Sequence, residues 1–230
     1  VLKSLTFWFV FEFGLHQKVN DLRTGIEVPF VLWLMGGLVP WFYFQEALNG
    51  GTGVLDEYSY LVKKVVFQID ALPVVKLISA LFTHAFFVVF MLVVFAVMGF
   101  YPDLYVLQIV YYSFCMVILT AGLIYATSAV TVFFRDMKEV VSILLQIGMW
   151  VTPIMWNFES MQGIPKWAVL LLKLNPMYYI VSGYRDALIN KTAFWEHPGL
   201  TLWFWGITLF TLWAGTTVFK RLRVHFADVL

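Results

Sequence analysis

The chain has 230 residues, 61% hydrophobic and 19% aromatic, with 13% charged and a mean hydropathy of +0.82. These values exclude a soluble globular domain and place the chain among polytopic helical membrane proteins. A net charge of +1 excludes the concentrated basic surface that nucleic acid requires, and the single Cys115 excludes a disulfide framework.

About 20 apolar residues cross a bilayer, and that length recurs at about 26–48, 74–100, 104–134, 138–158 and 199–219. A first, partial span is expected at about 1–15, where SLTFWFVFEFGL (4–15) has the right composition but only 12 residues. The chain starts on Val, so it is expected to lack its true N-terminus. The fold class expected is therefore all-α, with six spans in one domain, 1–230. Phe7 and Phe11 stand four apart and share a face of the first span, while Trp41 and Phe42 fall in the second. Two readings stand for these aromatics: anchors in lipid, or stacking surfaces along a path for a glycan.

LDEYSYLVKKVVFQIDALP (55–73) is charged and amphipathic, and it lies between two apolar runs. Leu55, Tyr58, Leu61, Val62, Val65 and Ile69 recur at helical spacing, with Asp56, Glu57, Lys63, Lys64 and Gln68 mostly opposite. A helix over about 55–69, ended by Pro73, is expected; it either rests in the headgroups or docks a soluble partner.

Gly122, Ala126 and Ala129 form a small-residue stripe, fit for a helix of the same chain or of a second copy. Pro153 predicts a kink in the fifth span. The stretch 164–174 spans about half a membrane before Asn175-Pro176 interrupts it, and 177–189 carries Tyr178, Tyr179, Tyr184, Arg185 and Asp186. Two short helices, re-entrant or external, are expected there. Lys63, Lys64, Lys76, Arg135, Lys138, Lys220, Arg221 and Arg223 fall on one side, against Lys18, Arg23, Lys166, Lys173, Arg185 and Lys191 on the other. That bias sets the first group, and both termini, in the cytoplasm.

The chain has no G-x-x-x-x-G-K loop, so ATP must be handled by another chain. His16, His84, His197 and His225 lack metal-ligand spacing, and no catalytic constellation stands out. An inward-facing cluster of catalytic acids would mark a membrane-embedded glycan-processing enzyme. A charged docking helix marks an exporter instead, and the sequence has the second feature.

GGLVPWFYFQEAL (36–48), LVKKVVFQIDALPVVKL (61–77), FFRDMKEVV (133–141), VTPIMW (151–156) and LNPMYYIVSGYRDAL (174–188) together resemble the permease of type-2 ABC exporters of polysaccharides. The resemblance implies a homodimer in a bacterial plasma membrane, paired with two copies of a separate ATPase that binds ATP and Mg. It also implies a lipid-linked glycan as substrate. WNFE (156–159) and LNPMYYIVSGYRDALI resemble teichoic acid exporters most, with O-antigen or capsule export as the alternative. Leu55, Tyr58, Leu61, Val62, Lys63, Lys64, Val65 and Ile69 would then form the coupling helix, and Asn175, Pro176, Tyr178 and Tyr179 the outer gate. Gln68 departs from the pattern, since many relatives have Pro after Phe at that place.

Overall fold

The computed structural model describes residues 19–20, 27–62, 68–156 and 165–226, with Val19, Asn20, Glu27, Leu61 and Val62 described by backbone alone. The expected first span, with Phe7 and Phe11, lies outside the described residues, as do Lys63, Lys64 and Val65. Val19–Asn20 pairs antiparallel with Glu27–Val28; everything else regular among the described residues is helical.

Helix α1 (Phe30–Thr52) follows extended Pro29 and is buried along most of its surface, including Leu32, Leu34, Leu38, Trp41 and Tyr43. A helix apolar on every side belongs at the centre of a bundle, and α4, α5, α6 and α8, bounded below, all pack on it.

After Gly53 come two short helices, α2 (Val54–Glu57) and α3 (Ser59–Val62). This corrects the expected continuous helix over 55–69. The chain breaks at Tyr58 (φ −106°, ψ 30°) and has turned again by Ile69 and Asp70. The cause is that the apolar face finds cover inside the chain. Leu55 and Val54 are buried with Leu72, Ala129, Val132, Phe219 and Phe226, and Tyr58 and Ile69 pack on that cluster. Pro73 ends nothing; it sits in the first turn of α4 (Ala71–Val97), where a missing N–H costs no hydrogen bond.

A 3₁₀ turn at Leu104–Leu107, capped by Asp103 Oδ1 accepting from Tyr105 N (3.1 Å), leads into α5 (Gln108–Thr131). Helix α6 (Met137–Val151) stops short of Pro153, with Thr152 extended at φ −76°, ψ 127°. The residue before a proline is excluded from helical ψ, so the expected kink is a helix end. Helices α7 (Lys166–Leu174) and α8 (Pro176–Arg185) follow, then a π turn at Asp186–Asn190 and α9 (Pro198–Leu222).

Among the described residues three helices, Ala71–Val97, Leu104–Thr131 and Pro198–His225, are long and apolar enough to cross a membrane. The six spans expected from sequence are thus matched by length and apolarity at three. Helix α6 has only 15 residues, and α1 carries Pro40, Gln45 and Glu46. One face of α4 (Phe82, Phe86, Val89, Val93, Val97) is apolar and exposed at i, i+4, i+7, i+11 and i+15, as a lipid-facing stripe is.

The two ends of the bundle are tied separately. At one end Lys138 pairs with Asp56 (2.6 Å), Lys76 with Glu57 (2.8 Å) and Arg223 with Asp70 (2.5 Å). At the other, Lys191 pairs with Asp103 (2.8 Å), and Gln108 Nε2 donates to Thr192 O (3.1 Å) while its Oε1 accepts from Phe194 N (2.8 Å).

The small-residue stripe serves the chain itself. Gly122 on α5 lies so close to α9 that an added Cβ would meet Leu212 N at 2.7 Å, and a Cβ at Gly215 would strike Gly122 O. Close approach of this kind replaces the hydrophobic driving force that lipid removes. Gly215→Leu is therefore expected to destabilise the protein by about 1–3 kcal/mol or to block its insertion, as overpacking does. Gly206→Leu, with nothing within 4 Å, is expected to leave the thermal midpoint in detergent unchanged.

Candidate functional site

The region around Asn175-Pro176 joins a helix cap, an interhelical hydrogen bond and a layer of tyrosine hydroxyls. Pro176 opens α8 at a position that needs no donor, and Asn175 Oδ1 caps it by accepting from Met177 N (3.0 Å). The same side chain donates from Nδ2 to Thr152 Oγ1 (2.8 Å), which ties the start of α8 to the end of α6. Tyr178 and Tyr179 are both buried. Tyr179 OH meets Tyr111 OH (3.2 Å) and Thr201 Oγ1 (3.1 Å), and its ring stacks on Phe204 at 4.7 Å. Trp205 Nε1 donates to Tyr111 OH (3.0 Å), so α5, α8 and α9 share one aromatic and hydroxyl layer.

The other end of α8 carries Tyr184 and Arg185. Tyr184 OH contacts His84 Nε2 (2.9 Å) on α4 and Ser113 Oγ (2.6 Å) on α5. Arg185 is buried, donates to Pro153 O and Ile154 O (2.8 Å each), and lies 3.4 Å above the Trp33 ring. Sequence reading had counted Arg185 among the charges of the outer loops. Its place inside the fold was signalled by the apolar residues around it and by Gly36-Gly37 on α1, which leave room for the guanidinium.

Trp41 and Phe42, both candidates for the aromatic path, meet different neighbours. Phe42 meets Phe87 on α4 (6.3 Å). Trp41 lines an apolar cleft of about 260 Å³ with Phe44, Leu145, Gly148, Thr152 and Asn175. Its Nε1 is buried with no hydrogen-bond partner among the described residues, and buried indole donors are ordinarily satisfied.

Of the residues assigned to docking, Leu55, Tyr58 and Ile69 are spent on the internal cluster, whereas Glu57 and Tyr60 are exposed beside them. The Asp56 carboxyl is held below its usual range, first by the hydrogen bond from Lys138 and further by the charges of Lys138 and Arg135, against the opposing effect of burial. A depressed carboxylate stabilises the fold above its unfolded pKa and loses that effect as pH falls through the folded value. Both partners are a third or more exposed, so solvent screening keeps this contribution small.

A family model described as ABC-2 type transporter matches residues 1–189 of the chain. The O-antigen export system permease protein RfbA of Myxococcus xanthus is 27% identical over 227 residues, covering 99% of this chain and 83% of that protein. A protein of the same name from Klebsiella pneumoniae is 25% identical over 235 residues, covering 100% and 84%. The polysialic acid transport protein KpsM of Escherichia coli is 27% identical over 215 residues, covering 92% and 78%.

The two bonds of Asn175 separate by mutation. Asn175→Ala removes both cap and tie and is expected to lower stability by about 1–2 kcal/mol, the range for a lost cap and hydrogen bond. Asn175→Asp keeps the cap acceptor and loses the amide donor to Thr152, so it is expected to recover roughly half of that loss. Chemical or thermal unfolding in detergent reads both.

Proposed function

The chain belongs to the ABC-2 type transporter family, and we propose that it is the permease subunit of an ATP-driven exporter that moves a lipid-linked polysaccharide across a bacterial plasma membrane. The observation that carries this reading is the extent of the match: the O-antigen and polysialic acid transport proteins align over 92% or more of the chain. All five sequence pieces quoted above fall inside the residues matched by the family.

In this reading two copies of the chain pair with two copies of a separate ATPase, which holds ATP and Mg. The end bearing Lys76, Arg135, Lys138 and Lys220–Arg223 faces the cytoplasm, as the positive-inside rule asks. Docking falls to Tyr60, which is exposed beside the internal cluster, together with Leu61, Val62, Lys63, Lys64 and Val65 of the same amphipathic stretch. Asn175, Pro176, Tyr178 and Tyr179 form the outer gate. Phe7, Phe11, Trp41 and Phe42 contribute aromatic faces to the glycan path, and the apolar cleft lined by Trp41 supports its part in it. Teichoic acid is the narrower substrate proposal, drawn from 156–159 and 174–189. The names of the relatives favour its alternative, an O-antigen or capsule chain.

Inside-out vesicles carrying the chain with its ATPase are expected to take up lipid-linked glycan only with ATP, and parallel loading with teichoic acid and O-antigen identifies the substrate. The purified chain alone is expected to hydrolyse no ATP. Glycan movement independent of ATP, or hydrolysis without a second chain, overturns the proposal. For docking, burying one side chain such as Leu61 or Val65 is worth about 1.5–3 kcal/mol. Leu61→Asp/Val65→Asp is therefore expected to reduce recovery of the ATPase at least tenfold at equal membrane insertion, and undiminished recovery leaves the headgroup reading of that segment.

A further inference from the structure

Tyr184 and Arg185 are neighbours in sequence that reach in opposite directions from the last turn of α8. Tyr184, fully buried, holds α4 and α5 through His84 and Ser113. Arg185 holds α1 and the segment beyond α6. Its guanidinium lies over Trp33 at 3.4 Å, its Nε donates to Trp33 O (3.4 Å), and Nη1 and Nη2 donate to Pro153 O and Ile154 O (2.8 Å each). The guanidinium thus meets two backbone carbonyls of the turn just beyond α6, which have no helical donor of their own. Gly37 completes the seat, since a Cβ there would lie 2.9 Å from Nη2 and 3.1 Å from Ile154 Cγ2. Burying a guanidinium in an apolar bundle is costly, so a contact made only for cohesion would be served as well by an apolar side chain.

We propose that Arg185 is a positioning residue for transport: it fixes the end of α6 onto α1, so that the Asn175–Tyr179 segment is carried by α1 rather than moving independently of it. This rests on the exporter reading above. The start of α8 is tied to the end of α6 by Asn175–Thr152, so Arg185 and Asn175 grip the same stretch, Thr152–Ile154, from both ends of one helix. Lysine cannot replace this contact, because a single ammonium neither forks to two carbonyls nor lies flat on an indole.

The test uses the transporter assembled with its ATPase in vesicles, with Arg185→Lys and Gly37→Ala; the second keeps the charge and crowds its seat. The expected result is a fall of tenfold or more in glycan exported per folded transporter, with ATP hydrolysis within about twofold of wild type. Spin labels at the exposed positions Trp150 and Leu171, on α6 and α7, are expected to show a broadened distance distribution in both variants. Export lost only in proportion to folded protein, or lost together with hydrolysis, overturns the proposal. So does an unchanged distance distribution, and that arm needs no substrate. Should the wild-type transporter move no glycan, the exporter reading fails while the label distances still decide the role of Arg185. If Arg185→Lys does not fold, Gly37→Ala carries both readouts.

Discussion

Open backbone carbonyls inside a bundle that water does not reach are the constraint around which this fold is arranged. Helix α6 stops at Val151 because Pro153 follows, and the carbonyls of Pro153 and Ile154 are left without helical donors. In a soluble loop water would satisfy them; in an apolar interior each unsatisfied group costs several kcal/mol. Arg185 supplies two donors at 2.8 Å, and the price is a buried charge. Trp33 offsets part of it through its ring face, and Gly36-Gly37 keeps α1 thin enough for the guanidinium to enter. One interruption in one helix thereby dictates features of two others.

The opposite end of the bundle is closed by different means. Three ion pairs link 53–70 to the start of α4, the start of α6 and the end of α9, over an apolar cluster centred on Leu55, Leu72, Ala129 and Phe219. Pairs this exposed contribute little stability one by one. Their effect is geometric: with Leu55 held inside and Asp56 and Glu57 pinned by Lys138 and Lys76, α2 presents its acidic residues to cations of its own chain. The side chains free to meet a partner are fewer than amphipathic spacing suggests.

Legibility in the sequence followed the physics of each signal. Apolar length marked the helices of the bundle because a helix among apolar neighbours needs only a long greasy run. Asn175-Pro176 was readable because a cap acceptor followed by proline is a local instruction, and the structure shows the cap as such. Pro153 was read correctly as a disturbance and wrongly as a kink. Whether a proline bends or ends a helix depends on what holds the chain beyond it, and here Arg185, 32 residues away, anchors the Pro153 and Ile154 carbonyls after the helix end. The segment 55–69 misled for a related reason. Spacing shows that one face is apolar without showing what covers it, and here Leu55, Tyr58 and Ile69 are covered by residues of α4, α5 and α9. Trp41 and Phe42 are readable as aromatic positions of one helix but not as to their neighbours, because successive residues on a helix stand about 100° apart: Phe42 meets Phe87, and Trp41 lines the cleft beside α6.

Helix α1 is the element through which the two ends communicate structurally. Near its start Trp33 and Gly37 receive Arg185; near its end Gly51 sits against Ile124 of α5, and Thr52 Oγ1 meets Thr127 Oγ1 at 2.8 Å. Gly53 then turns the chain into α2 beside Lys138. Continuous packing is not by itself evidence of coupling. What distinguishes α1 is the nature of its contacts at either end: glycine backbones close against bulky side chains, Arg185 and Ile154 at one and Ile124 at the other. Close-packed joints of that kind transmit displacement instead of dissipating it. A rod seated at both ends in this way ties the charged end of the bundle to the proline-broken one.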